Sequence, residues 1–161
     1  IWLETLTQPG ALLRIIGAGW TGKTSLMAKI LPELNKKGYR TALLNFHYAD
    51  ISHFGNLEKF LQWFCVSVGR ILGLPNRLAD YWDKEFSTSK INCTAYFEEY
   101  LLAESDNPLI LCLDETERIF PHTEIASEFL GLLSAWHEQA KTRTLWGKLR
   151  LEVAQRKFMY L

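Results

Sequence analysis

A net charge of either sign is missing from this chain: lysine plus arginine and aspartate plus glutamate number 18 each. That balance excludes a strong overall field drawing the protein toward nucleic acid, an anionic membrane or an acidic substrate, so a charged ligand must be held locally. Long apolar runs are missing too. No stretch approaches the ~20 residues needed to span a bilayer, and the opening Ile1-Trp2-Leu3-Glu4 lacks the basic start of a secretory signal. Cysteine is scarce: three residues with no paired spacing, Cys65 in a helical pattern, Cys93 near a helix start and Cys112 in a strand-like run. A disulfide framework is therefore not expected, and a reduced, cytoplasmic setting is. His47, His53, His122 and His137 show no metal-ligand spacing, and His137-Glu138 lacks the second histidine of H-E-x-x-H, so they read as ordinary histidines. There are no internal repeats, no low-complexity tract and no guanine-reading N-K-x-D element. The last of these absences favours adenine over guanine. The first residue is not methionine, so the chain is expected to be a piece of a larger protein, with the other domains of that parent as partners.

What is present suits one compact domain over residues 1–161: 161 residues, 48% hydrophobic and 13% aromatic. Residues 11–16 form a short apolar run around Arg14, bounded by Pro9-Gly10 and Gly17-Ala18-Gly19, and predict a buried strand. Leu26, Ile30, Leu31 and Leu34 follow at helical spacing and stop at Lys36-Lys37-Gly38, with Pro32 a possible kink. Residues 39–46 are rich in strand formers and complete a strand-helix-strand crossover, the unit of a parallel sheet. The clearest amphipathic helix carries Leu57, Phe60, Leu61, Phe64, Cys65, Val68, Ile71 and Leu72 before Gly73 and Pro75 end it. Residues 76–90 show no sustained period and predict a loop or irregular helix, and Phe97, Tyr100 and Leu101 mark a short helix. Residues 108–113 predict a second buried strand, a helix starts near Thr123, and residues 149–154 predict a last strand. There Arg150 and Glu152 alternate with Leu149, Leu151 and Val153, an odd pattern for a central position.

Gly17-Ala18-Gly19-Trp20-Thr21-Gly22-Lys23-Thr24 satisfies G-x-x-x-x-G-K-[ST] at every fixed position, between a strand and a helix as its chemistry requires. The glycines permit a tight turn whose backbone N–H groups close on phosphate, and the helix offers the positive end of its dipole to the anion. The segment Gly17 to Ser25 is thus the candidate nucleotide cradle. Lys23 would reach the β- and γ-phosphates, and Thr24 would offer its hydroxyl to Mg²⁺. The second signal is Asp114, at the end of Leu109-Ile110-Leu111-Cys112-Leu113, an apolar strand ending in an acid that suits Mg²⁺ held through water. Glu115 follows at once, where a carboxylate would activate a water for in-line attack on the γ-phosphate. Lys23 and Glu115 are accordingly the candidate catalytic residues, and Thr24 and Asp114 the candidate metal ligands.

These segments resemble the AAA-like P-loop ATPase domain found in large multidomain cyanobacterial proteins. Besides the phosphate loop, the resemblance is carried by Gln8-Pro9-Gly10-Ala11-Leu12-Leu13-Arg14-Ile15, Gly38-Tyr39-Arg40-Thr41, Leu61-Gln62-Trp63-Phe64-Cys65, Gly73-Leu74-Pro75, Tyr81-Trp82-Asp83, Asn92-Cys93-Thr94 and Leu113-Asp114-Glu115. It covers nearly the whole chain. It implies an α/β fold, a three-layer α/β/α P-loop NTPase sandwich with a mostly parallel sheet, truncated at the C-terminal end before a fifth strand or lid. The final strand would slot between the first strand and the Asp114 strand. Leu151-Glu152-Val153-Ala154-Gln155-Arg156 departs from the more apolar strand and polar sensor of that family. The activity implied is Mg-ATP binding and hydrolysis in a regulatory or signalling module. Two other classes compete: a nucleotide-holding interaction module without turnover, and a small-molecule phosphotransferase, for which no basic lid is legible.

Among the remaining residues, Arg118 lies four past Asp114, where solvation or pairing with Glu117 is the plain expectation and a phosphate contact the sharper one. Nothing in the sequence selects an arginine finger among Arg143, Arg150 and Arg156. Trp63, Trp82 and Trp136 read as core aromatics. Trp20 falls inside the phosphate loop, and Asp50 follows the second strand, where it would either assist Mg²⁺ or simply end the strand. Homo-oligomerisation is left open, and neither a membrane nor nucleic acid is indicated as a partner.

Overall fold

The computed structural model describes residues 2–17 and 20–156, with the side chains of residues 2–3 and 20–26 outside that description. The elements run α1 (Trp2–Leu6), β1 (Leu12–Gly17), α2 (Trp20–Lys36), β2 (Arg40–Asn45), α3 (Leu57–Ile71), α4 (Leu78–Tyr81), α5 (Ser89–Tyr96), β3 (Leu109–Asp114), α6 (Thr123–Gln139), α7 (Thr144–Gly147) and β4 (Leu149–Arg156). Four strands form one parallel sheet in the order β1-β4-β3-β2. The last strand therefore does enter between the first and the Asp114 strand. Helices cover both faces. Leu109, Leu111 and Leu113 point into a large core shared with α3, α5 and α6, while Ile110 and Cys112 point into a smaller one with Leu6, Met27, Leu31 and Leu34 of α1 and α2. Three layers result, as the parallel crossovers require.

Local chemistry explains the element ends. Asn56 caps α3 by accepting from the Lys59 N–H at 2.8 Å. At its other end Gly73 adopts φ +74° and Leu74 N–H reaches back to Gly69 O at 2.9 Å, a left-handed stop that glycine takes without a Cβ penalty. Within 76–88 the helical structure is the one-turn α4, and Thr88 then caps α5, which takes in Ser89 and Lys90, by accepting from Ile91 N–H. The helix expected around Phe97 is the continuation of α5: Phe97–Leu101 widen into a π-turn, with Leu102 N–H bonded to Phe97 O at 2.8 Å. Trp20, read as a loop residue, is the first residue of α2.

A charged pair in a central strand has a physical explanation at Arg150. Its guanidinium donates to Gly147 O at 2.9 Å and, at the end of α1, to the carbonyls of Leu6 and of the following Thr7 at 3.4 and 3.0 Å, satisfying groups that a short helix leaves open at its C-terminus. Arg150 is thus a buried clamp between α1 and β4. Arg143 is likewise engaged, donating to Glu98, whose carboxyl it holds below the usual range together with the Trp146 indole N–H. Trp136 is core, stacked on Trp146 at 5.1 Å, whereas Trp63 and Trp82 are partly buried at its margin. All three thiols are free and buried; α3 and α5 bring Cys65 Sγ within 3.5 Å of Cys93 Sγ, a proximity that their spacing in sequence does not signal.

Gly10, just before β1, also has a left-handed backbone, φ +67°. It donates to Gly147 O at 2.9 Å and accepts at 2.7 Å from the His137 ring, so His137 Nδ1 carries the proton. A Cβ at this position would collide with Cβ of Ala140. Gly10→Ala is therefore expected to lower stability by about 2–4 kcal/mol, from backbone strain plus overpacking. Chemical denaturation measures it. Adding Ala140→Gly should recover the overpacking share, and full stability in the single variant would refute the geometry.

Candidate functional site

All four strands are parallel, so their carboxyl ends share one edge of the sheet, where open α/β folds bind ligands. Gly17 ends β1 opposite Arg156 of β4, and Asp114 ends β3 opposite Asn45 of β2. The phosphate-loop glycine and the metal-ligand candidate are thus separated by one strand, and their chain segments leave the sheet on the same side. Ala18 and Gly19 lie outside the described residues, as do the side chains of Trp20, Thr21, Lys23, Thr24 and Ser25. The backbone shows what surrounds them: a strand ending at Gly17 and a helix beginning at Trp20.

Asp114 is 7% exposed, and its Oδ1 accepts the Glu115 N–H at 2.9 Å. Burial of β3 along its whole length fixes where this carboxylate emerges. Beyond it a 3₁₀ turn, Thr116–Ile119, is pinned to β4 by Thr116 Oγ1, which donates to Ala154 O at 2.9 Å. Glu117 holds the end of β4, accepting from Arg156 N–H at 3.1 Å and facing its Nε at 3.9 Å. Arg118 therefore does not pair with Glu117. Its Nε lies 3.5 Å from Glu115 Oε1, and its terminal nitrogen donates to His47 Nδ1 at 2.9 Å.

Asn45, not Asp50, is the β2 residue beside Asp114. Its side chain accepts from His47 N–H at 2.7 Å, starting the 3₁₀ turn Phe46–Tyr48. Asp50 lies further on, its N–H bonded to His53 Nδ1 at 2.9 Å, lining a cavity of about 610 Å³ with Tyr48, Trp63 and Arg70. A second cavity of about 420 Å³ reaches Asp114 itself, lined also by Asn45, Leu43 and Arg70. Sequence reading missed Asn45, His47 and Thr116. Asn45 was the legible one, a polar residue ending an apolar strand as Asp114 does.

The sequence model of the AAA-like domain matches residues 1–161. No curated protein matches the chain. Among solved structures, the Aeropyrum pernix ORC2 protein in its ADPNP-ADP complexes is similar with a TM-score of 0.60 at 19% identity, covering 96% of this chain and 38% of that one. Drosophila ORC bound to DNA is similar with a TM-score of 0.52 at 18% identity, covering 97% of this chain and 34% of that one. At such identities the likeness is one of fold, and the chain spans little more than a third of those relatives. With strand order, parallel register and a family match over its whole length in agreement, the chain belongs to the AAA-like domain family, a nucleotide-binding ATPase-type module.

Proposed function

We propose that this domain binds Mg-ATP at the carboxyl edge of its sheet and hydrolyses it, serving as a regulatory or signalling ATPase module of a larger protein. The observation that carries this reading is the placement of Asp114 and Glu115 at the tip of β3, one strand from the β1 end that leads into G-x-x-x-x-G-K-T. The backbone N–H groups from Gly17 through Ser25, Gly22 and Thr21 among them, would wrap the phosphates, and Lys23 would meet the β- and γ-oxygens. Thr24 and Asp114 supply a hydroxyl and a carboxylate, hard oxygen donors that fit Mg²⁺ shared with phosphate. Bound there, Mg²⁺ would neutralise charge on the β- and γ-oxygens. Glu115 would take the proton of a water whose oxygen bonds to the γ-phosphorus as the bond to ADP breaks. That the Aeropyrum pernix ORC2 protein, similar in fold, forms ADPNP-ADP complexes supports the reading of a nucleotide-binding domain. Other domains of the parent, or further copies of the chain, would receive the resulting change, in the cytoplasm.

The test is Mg²⁺-dependent ATP binding. Removing the Lys23 ammonium should cost one or two charge-assisted hydrogen bonds, so Lys23→Ala is expected to weaken binding about 10–100-fold. Equal binding by both proteins would move the site elsewhere. A second reading, nucleotide holding without turnover, is favoured by one contact, the engagement of Glu115 by Arg118.

A further inference from the structure

A parallel ladder turns alternate residues of a strand toward its neighbour and the others away from it. Arg40 N–H is bonded to Pro108 O at 2.8 Å, so Arg40, Ala42 and Leu44 address β3. The N–H and C=O groups of Thr41, Leu43 and Asn45 therefore face the other way. There β2 ends the sheet, with no strand beyond it among the described residues. These three residues are partly exposed, whereas Ala42 and Leu44 between them are buried. Folded proteins blunt such an edge with proline, lysine or a bulge. Residues 41–45 hold no proline and no charge, and their register with β3 is unbroken. The open row of donors and acceptors is a template for one more extended backbone.

The groove beside the edge sets which side chains that backbone carries. The cavities of about 420 and 610 Å³ share Tyr48, Ser67 and Arg70, so they join along the outer face of α3. Next to β2 the wall is apolar, made by Leu43, Ile71 and Tyr48, and the last two stay 43% and 76% exposed. Arg70 stands where the cavities meet, and Lys59 lines the larger one. Asp50 and Asp114 line the cavities too, yet neither Arg70 nor Lys59 makes an ion pair among the described residues. We propose that the β2 edge is a docking site for an extended acidic peptide segment of a partner protein. The segment adds to the sheet beside β2, sets an apolar side chain between Leu43 and Ile71, and places carboxylates on Arg70 and Lys59. Backbone bonds to Thr41, Leu43 and Asn45 supply affinity, and the groove supplies selectivity. The inference does not depend on whether the domain hydrolyses ATP.

The probe is a fluorescein-labelled peptide, Glu-Thr-Val-Thr-Glu, whose two-residue alternation puts valine and both glutamates on one face whichever way the strand runs. Fluorescence anisotropy with the full chain reads its binding. Exchanging both glutamates for lysine is expected to weaken binding at least about tenfold. Arg70→Ala should weaken it about 2–5-fold, the worth of one exposed ion pair. Ile71→Glu sets a like charge in the groove and should weaken it about tenfold. Both residues are exposed, so thermal melting should show the variants folded as the wild type is. A peptide N-methylated at every residue keeps its side chains but loses the donors of the ladder, and its binding should disappear. No saturable binding of the glutamate peptide up to about 1 mM, equal binding of the lysine peptide, or indifference to N-methylation would each overturn the proposal. A dimer of the chain alone that Ile71→Glu dissolves would give the edge to a second copy, and would overturn it as well.

Discussion

Replacing Glu115 by glutamine is expected to leave Mg-ATP binding intact and to lower turnover by about 10²–10⁴-fold, the contribution of a positioned general base. Glutamine has nearly the same shape and keeps the backbone bonds from Glu115 N–H to Asp114 and from Arg118 N–H to the residue 115 carbonyl. It has no carboxylate to take the proton from water. Because the side chain is 11% exposed, bulk water is poorly placed to substitute for it. Single-turnover hydrolysis beside equilibrium ATP binding separates the two effects, and a rate within about tenfold of the wild type would remove Glu115 from the mechanism. Asp114 gives the contrasting pattern: its loss should weaken the Mg²⁺ dependence of binding itself.

The parts of this site differ in how far the residues alone reveal them. Residues 108–113 announce β3 because a fully buried parallel strand has no polar face to interrupt its apolar run, and the acid that ends the run is then conspicuous. The run 11–16 locates β1 within one residue for a similar reason, despite Arg14, whose guanidinium is met by Gln155 Oε1 at 2.7 Å. The strand β4 is harder to read. Arg150 argues against a central position until α1 supplies the Leu6 and Thr7 carbonyls, 144 and 143 residues away. The start of α5 is hidden because Ser89, Lys90, Asn92 and Thr94 make no apolar stripe. Asn92 is buried nonetheless, its amide satisfied by Asp83 O at 2.8 Å. The contact between Arg118 and His47 spans 71 residues and exists only because β2 and β3 are neighbours. Motifs record chemistry that neighbouring residues share; the orientation of Glu115 is decided by residues brought together through the sheet.

The packing beneath that edge sets the second large effect. Phe129 of α6 is fully buried against Phe46, Phe60 and Phe64, with ring centroids at 5.8, 5.1 and 4.9 Å. The Phe60 and Phe64 contacts are edge-on, an arrangement worth more than its area burial alone. Phe129→Ala is expected to cost about 3–5 kcal/mol, because the rings around the void belong to α3 and to the turn after β2 and cannot all close inward. That is a large part of the ~5–15 kcal/mol by which domains of this kind are stable. Phe129→Leu should cost less than about 1.5 kcal/mol, since it retains most of the volume. Urea denaturation measures both, and an unchanged m-value shows that stability, not the denatured state, has moved. A loss below about 1 kcal/mol for alanine would mean the cluster relaxes around the cavity.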